Sequence, residues 1–485
     1  MGLVVCIILI LAVVCVLPFV FFLFGARGTG LLFFAAAVFP AVWLSRFDRY
    51  SLDYGDMPFS LTWGVLASVF LLLILFGNPQ TRRLLSSFSM GALPILALLL
   101  AVFAASTLAN RHSDEDVIRG FHASLFVVLP PLAAWAVIRA CKIDESTLPR
   151  LVGALLFVGA FVSLLAVLTA ISPGAFSFIV TTYKTEADVG RAFSPIGGPS
   201  GTAMCLLMVY CLAVGQFLTG RRRGLALFVL ALCFLGLLAT LARAVLLAFL
   251  VVNVYLWARH WRGLGRRMTG FVLVGLTVLV PLGYGLSQVF SLERFGSGII
   301  DGAPGASLET RSDSLVAAVR YGAQHPALGG GWGLVYTWPR ESHGLGRVVP
   351  RGIRLDGYPS APKPHSLFAL VFAEGGVIAF LVLMVFCWQL SRGLKPLDAT
   401  ASPVGHSLVH GFRAGFLSFM VMCVVQDHLF LTSKIAFFFY LFILTGIAVG
   451  AHYRRTVVPA LPAAQPATSG APPHRRAYAL SGRLV

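Results

Sequence analysis

From Leu3 almost to Gly450 the chain alternates long apolar runs with short polar or basic stretches. A run of about 20 apolar residues, coiled as a helix, covers the hydrocarbon thickness of a bilayer. The pattern predicts spans near 3–24, 30–44, 58–76, 88–108, 118–138, 151–172, 199–217, 224–241, 243–258, 269–288, 366–390, 407–425 and 432–450, with ends read to within several residues. The first run, Leu3 to Phe24, has no basic start and is followed after only Gly25, Ala26, Arg27 and Gly28 by a second run. It therefore reads as a retained helix rather than a cleaved signal.

The charges between the runs give an orientation. Arg82 with Arg83, Arg221 to Arg223, the group Arg259, Arg262, Arg266 and Arg267, then Arg392 with Lys395, and Arg454 with Arg455 all lie in short connections or just past the last run. Basic residues gather in cytoplasmic connections, so the segments 109–117, 173–198 and 290–365 are expected outside, and an odd number of spans puts the amino terminus outside as well. The fold expected is an all-α polytopic membrane protein of about 12–13 transmembrane helices with one long, partly helical periplasmic loop. Its parts are an N-terminal transmembrane bundle (1–289), the large loop (290–365), C-terminal helices (366–451) and a disordered cytoplasmic tail (452–485) rich in Ala and Pro.

Composition agrees with this pattern: 58% of residues are hydrophobic, 12% are charged and the mean hydropathy is +0.86. The net charge of +18 raises the question of nucleic acid. The basic residues, however, are dispersed over short connections, with no aromatic-interleaved or Gly-rich binding module beside them. All eight cysteines fall in apolar runs or at their edges, so no disulfide framework is implied. There is no P-loop, no H-E-x-x-H, no paired-Cys pattern and no carboxylate cluster in the long loop. Neither nucleotide hydrolysis nor a metal or other cofactor is expected.

The loop from Phe290 to His365 exceeds any plain connection. Ser307 and Thr310 offer helix caps, Leu315, Val316 and Val319 share one helical face, and the helix should stop before Pro326. Gly329, Gly330, Gly331 and Gly333 then surround Trp332, in a turn whose backbone can approach a partner closely. The loop holds eight basic residues against six acidic ones, and surplus arginine on the outer side points to an anionic ligand, since the guanidinium fork suits phosphate.

Ionisable groups at membrane depth are costly and mark functional candidates. Arg243 sits at the tight turn between two spans on the expected outer side, where an arginine can equally snorkel to headgroups. His365, where the long loop re-enters the membrane, is either a structural hydrogen-bonder or a general base with a near-neutral pKa. Arg311 and Arg320 are nine residues apart on the loop helix, about 180° around at 100° per residue, so both cannot face one site. Arg191 precedes the Gly197-Gly198-Pro199 turn and is either a surface charge or a ligand contact. The group Gln426, Asp427, His428 reads as a polar turn between the last two spans, or as a neighbour of the site.

The stretch ETRSDSLVAAVRYGAQHPALGGGWG and, from Pro364, PHSLFALVFAEGGVIAF together resemble the signature of the O-antigen ligase and polysaccharide polymerase superfamily. In that signature an arginine precedes an amphipathic helix, an H-P-x-x-G-x-G-like turn follows, and a histidine starts a span carrying Glu-x-Gly or Glu-Leu-Gly. The matching positions are Arg311, His325, Pro326, Gly329, Gly331, His365, Glu374 and Gly375. TLARAVLLAFL is similar to the family's Ser-Arg turn, with Ala242 in place of serine, and RAFSPIGGPSGTA resembles the stretch before an earlier span. Ser366 follows His365 where the family has asparagine.

The resemblance implies a metal-independent, inverting glycosyltransferase that draws a glycan from undecaprenyl diphosphate at the outer face of the bacterial inner membrane. The acceptor would be lipid A core, as for an O-antigen ligase, or a second lipid-linked glycan, as for a polymerase; a protein O-glycosyltransferase is a third variant. On that reading His365, Arg311 and Arg243 are catalytic, and Arg191, Arg320, Glu374 and Gly331 bind substrate. A flippase of lipid-linked oligosaccharides is the rival from another class, though such transporters usually carry internal repeats and charged or broken helices at the midplane. A structural scaffold would tolerate replacement of Arg243, Arg311 and His365.

Overall fold

The computed structural model describes residues 51–54 and 57–60, 92–111, 114–141, 144–172, 192–259, 305–334, 366–397, 402–425 and 433–457, with single positions omitted inside these stretches. A short antiparallel hairpin, β1 (Ser51–Tyr54) and β2 (Met57–Ser60), comes first. Ten helices follow. They are α1 (Ala92–Asn110), α2 (Asp114–Ala140), α3 (Leu148–Ile171), α4 (Pro199–Leu218), α5 (Arg223–Thr240), α6 (Leu247–Leu256), α7 (Gly305–Gln324), α8 (Leu367–Gly393), α9 (Pro403–Val425) and α10 (Ser433–Val457). Among the described residues, α3, α4, α5, α8, α9 and α10 are long and apolar enough to cross a membrane. The molecule is an all-α polytopic membrane protein in which the hairpin is a minor exception.

Local chemistry sets the helix starts. Proline stands in the first turn of α3 and of α4, where the missing N–H is no loss. Ahead of α3 the Asp144 carboxylate accepts from the backbone N–H of Ser146 and of Thr147, both at 2.9 Å. The hydrogen bond from the Ser146 hydroxyl, and then these backbone bonds, hold its pKa well below the usual carboxylate range. The Ser366 hydroxyl caps α8 by accepting from Ala369 N–H at 3.4 Å.

Helix α4 forms the axis of the bundle, packed by α3, α5 and α9. Its crossing with α9 is built from small residues. A Cβ on Gly215 would lie 2.8 Å from the Ser407 carbonyl oxygen, and one on Gly411 would lie 2.8 Å from that of Cys211. Lipid tails are as apolar as leucine, so helices in a membrane gain by close backbone approach of this kind. Aromatic rings of α10 fill the other side of α9, with Phe439 stacked on Phe419 at 3.9 Å and Phe442 tilted by 58° against Phe412 at 4.8 Å. The described cysteines are buried free thiols.

Alternating helix directions sort the helix ends onto two faces. The end of α4, the start of α5 and the ends of α8 and α10 bring Arg221, Arg222, Arg223, Arg392, Lys395 and Arg454 to one face, where an Arg454 guanidinium N–H donates to the Lys395 carbonyl at 3.3 Å. On the other face the ends of α1, α3 and α5 meet the start of α8 and the segments at 192–194 and 325–334. There Thr169 and Phe193 share a hydrogen bond of 3.0 Å, and Ala192 N–H donates to the Ala239 carbonyl at 3.0 Å.

The expected spans from 88–108 to 243–258 and from 366–390 onward correspond to described helices whose ends shift by a few residues. Those at 3–24, 30–44 and 269–288 lie outside the described residues. The run expected at 58–76 begins on β2, and its remainder is likewise outside them. In the long loop, α7 begins at Gly305, ahead of both proposed caps, and ends at Gln324 before Pro326 as expected. The face shared by Leu315, Val316 and Val319 points outward, each residue more than 40% exposed. Ala318, Tyr321 and Gly322 instead pack on Ala369, Phe372 and Ala373 of α8, where Gly322 admits a close approach: a Cβ on it would lie 2.6 Å from the Phe372 ring.

Candidate functional site

Helix α8 is broken at Gly376, whose φ of 70° and ψ of −171° belong to glycine alone. In a continuous helix Val377 and Ile378 would donate to the carbonyls of Ala373 and Glu374. Here both donors turn to the segment after α7, to Pro326 O at 2.8 Å and Ala327 O at 3.5 Å. The two freed carbonyls accept from that same segment, Ala373 from Gly330 N–H at 2.8 Å and Glu374 from Gly331 N–H at 3.1 Å. The turn thus replaces the two helical bonds that the break removes. Each such group left buried without a partner costs about 1–3 kcal/mol, and irregular backbone at membrane depth survives only when protein satisfies it. The turn and the break therefore form as one unit.

Glycine is obligatory on both sides of this lock. A Cβ on Gly376 would strike the Ala327 carbonyl, and one on Gly329 (φ 69°) would strike the Glu374 backbone. The Glu374 carboxylate, 3% exposed, accepts from Gly333 N–H at 3.1 Å and so ties the far side of the turn to the helix. His325 ends α7: its carbonyl accepts from Gly329 N–H at 2.8 Å and its ring lies 5.1 Å from Tyr321. Burial, and then the Glu374 charge, push the Tyr321 hydroxyl above its ordinary pKa.

Helix α1 clamps the turn from the opposite side. Trp332 stacks on Phe103 with ring centres 3.6 Å apart and planes 8° from parallel. The Thr107 hydroxyl donates to Trp332 O at 3.0 Å, the Asn110 amide to Gly329 O at 3.1 Å, and the Ser106 hydroxyl to Glu374 O at 2.5 Å. Sequence reasoning passed over these three side chains, although a Ser-Thr-x-x-Asn cluster closing an apolar run is a recognisable signal of polar packing between helices.

The sequence-derived candidates divide by what the structure describes. Glu374 and Gly331 lie inside the lock, with bonds to backbone as given above. Arg320 is exposed on α7, one residue before the buried Tyr321. Arg311 is on the same helix, with its side chain outside the described residues, as are Arg191, Arg243, His365 and the group Gln426, Asp427, His428. Neighbours mark where the chain passes. Ala192 follows Arg191 and bonds to Ala239, four residues before Arg243. Ala242 and Ala244 flank Arg243 and pack against the core, and Ser366, next to His365, caps α8. All of these neighbours belong to the face opposite the basic connections. Among the described residues no group of His, Cys, Asp or Glu is arranged to hold a metal ion.

No curated protein matches the chain. Residues 226–384 match the family model described as O-antigen ligase, a segment that runs from α5 through the lock to Met384 of α8 and leaves out α1, Arg191, α9 and α10. Over that segment, set among helices long and apolar enough to cross a membrane, the chain is similar to the O-antigen ligase family.

Proposed function

We propose that the protein is a glycosyltransferase of the bacterial inner membrane that moves a glycan from undecaprenyl diphosphate to an acceptor at the periplasmic face, acting most simply as an O-antigen ligase with lipid A core as acceptor. The observation that carries this reading is the lock itself. The segment matching the O-antigen ligase family is the one whose turn is bonded into broken α8, and this fixes the start of α8, beside His365, against α7, which bears Arg311 and Arg320.

The chemistry is a displacement at the anomeric carbon. The acceptor hydroxyl oxygen forms the new glycosidic bond from the face opposite the leaving group, the bond to diphosphate breaks with its electron pair, and configuration inverts. His365 takes the hydroxyl proton as general base. Arg311 and Arg243 stabilise the charge that develops on the diphosphate, each as a fixed cation presented where charge appears. Arg191 and Arg320 hold more distant anionic or hydroxyl groups of the glycan. Glu374 and Gly331 serve substrate binding through the turn they shape. The sugar diphosphate is already activated, so no nucleotide is consumed and no metal is required.

A polymerase joining two lipid-linked glycans uses the same step with a different acceptor. The test is transfer in proteoliposomes with undecaprenyl-diphosphate glycan and either lipid A core or a second lipid-linked glycan. Product with lipid A core, lost in folded Arg311→Ala and His365→Ala variants, supports the ligase. Product only with the second glycan identifies a polymerase. Donor crossing between leaflets without product moves the assignment to a flippase.

A further inference from the structure

At the face carrying the basic connections, remote from the lock, a cavity of about 570 Å³ opens between α3, α4, α5, α9 and α10. Its mouth is polar, with Arg221, Arg222, His452 and Tyr453 against the single carboxylate of Glu145, and its inner wall is apolar, formed by Val152, Leu156 and Leu408 among others. Arg222 holds a left-handed backbone at φ 52° in the turn after Gly220, a conformation uncommon for a side chain of its size. Within α3 two glycines differ in what surrounds them. A Cβ on Gly159 would strike Val209, so that glycine serves packing, whereas a Cβ on Gly153, which lines the cavity, would meet nothing within 4 Å. The space beside Gly153 is therefore open where helix packing would otherwise fill it.

We infer that this cavity binds an anionic phospholipid of the leaflet at the basic face, with the headgroup phosphate at Arg221 and Arg222 and an acyl chain along the wall beside Gly153. Cationic mouths between transmembrane helices suit lipid phosphate, and an apolar wall continuous with the mouth suits a lipid better than a free anion. The assignment is independent of the transfer reaction at the opposite face.

The test uses the full chain purified in detergent. Retained phosphatidylglycerol is counted by native mass spectrometry, and thermal unfolding is followed with added phosphatidylglycerol, phosphatidylcholine or inorganic phosphate. Wild type should retain phosphatidylglycerol and gain thermal stability from it selectively. Losing Arg221 and Arg222 together to Gln should lower retention by at least roughly fivefold, in line with the attraction of a basic residue to an anionic lipid surface. Gly153→Leu, whose Cβ would meet nothing within 4 Å, should lower it comparably by filling the wall. Equal protection by inorganic phosphate, equal loss in the exposed control Arg150→Gln, or undiminished retention in Gly153→Leu would each overturn the proposal.

Discussion

The α4–α9 crossing and the turn docked in α8 both depend on glycine, and for different reasons. At the crossing, Gly215 and Gly411 lie within regular helices and are needed only because backbone oxygens of the facing helix stand 2.8 Å from where a Cβ would be. At the lock, Gly376 and Gly329 are needed for space and also for a positive φ, and the backbone around them carries the exchanged hydrogen bonds. A helix pair can separate by a few tenths of an ångström and keep its internal bonds. The lock has no such freedom, because moving either partner breaks bonds of both. The crossing is thus an elastic contact and the lock an all-or-none one.

Substitutions can break this distinction. Gly376→Ala should have the largest effect, on the order of 3 kcal/mol or more, from backbone strain of about 1–3 kcal/mol together with loss of exchanged bonds. The protein should unfold at lower temperature in detergent and expose the loop to protease at temperatures where wild type resists. Gly411→Ala at the crossing should cost about 1–3 kcal/mol by overpacking and leave the loop as resistant as in wild type. Protease sensitivity equal to that of Gly376→Ala would erase the contrast. Asn110→Ala removes the amide that holds the Gly329 carbonyl, a loss of about 1 kcal/mol, and should show as a lower midpoint of thermal unfolding with local loosening of the turn.

The smallest effect is expected away from both regions, at Asp144. Its folded pKa is depressed, so the stabilisation it gives is present above the ordinary carboxylate range and is lost as pH falls through its lowered value. Asp144→Asn should therefore lower the melting temperature slightly at neutral pH, and the gap from wild type should close on acidification. A gap that widens in acid would show the sign to be wrong.

Much of the fold was legible because a membrane span needs little more than an unbroken apolar run. Helix α4 follows the expected 199–217 to within a residue, and the two-faced arrangement follows from where the arginines interrupt the runs. What escaped was any feature that depends on a partner far along the chain. The break in α8 lies inside a run whose average hydropathy stays high, because Glu374 and two glycines are outweighed by the apolar residues around them. The packing face of α7 was obscured because Leu315, Val316 and Val319 are its conspicuous aliphatic residues, while contact with α8 falls on Ala318, Tyr321 and Gly322. At the candidate site, the motif His325, Pro326, Gly329, Gly331, Glu374, Gly375 was readable as a pattern. Its backbone complementarity was not, since hydrogen-bond exchange leaves no periodic trace.

The exchanged bonds also bear on how the protein is made. The turn at 325–334 precedes α8 in the chain, so it is synthesised before α8. Broken α8 has somewhere to hand its unpaired donors and acceptors only after α1 and the turn are in place. The break in α8 is therefore satisfied only once the turn is docked, and a chain stalled before α8 holds a turn whose hydrogen-bond partner has not yet been synthesised.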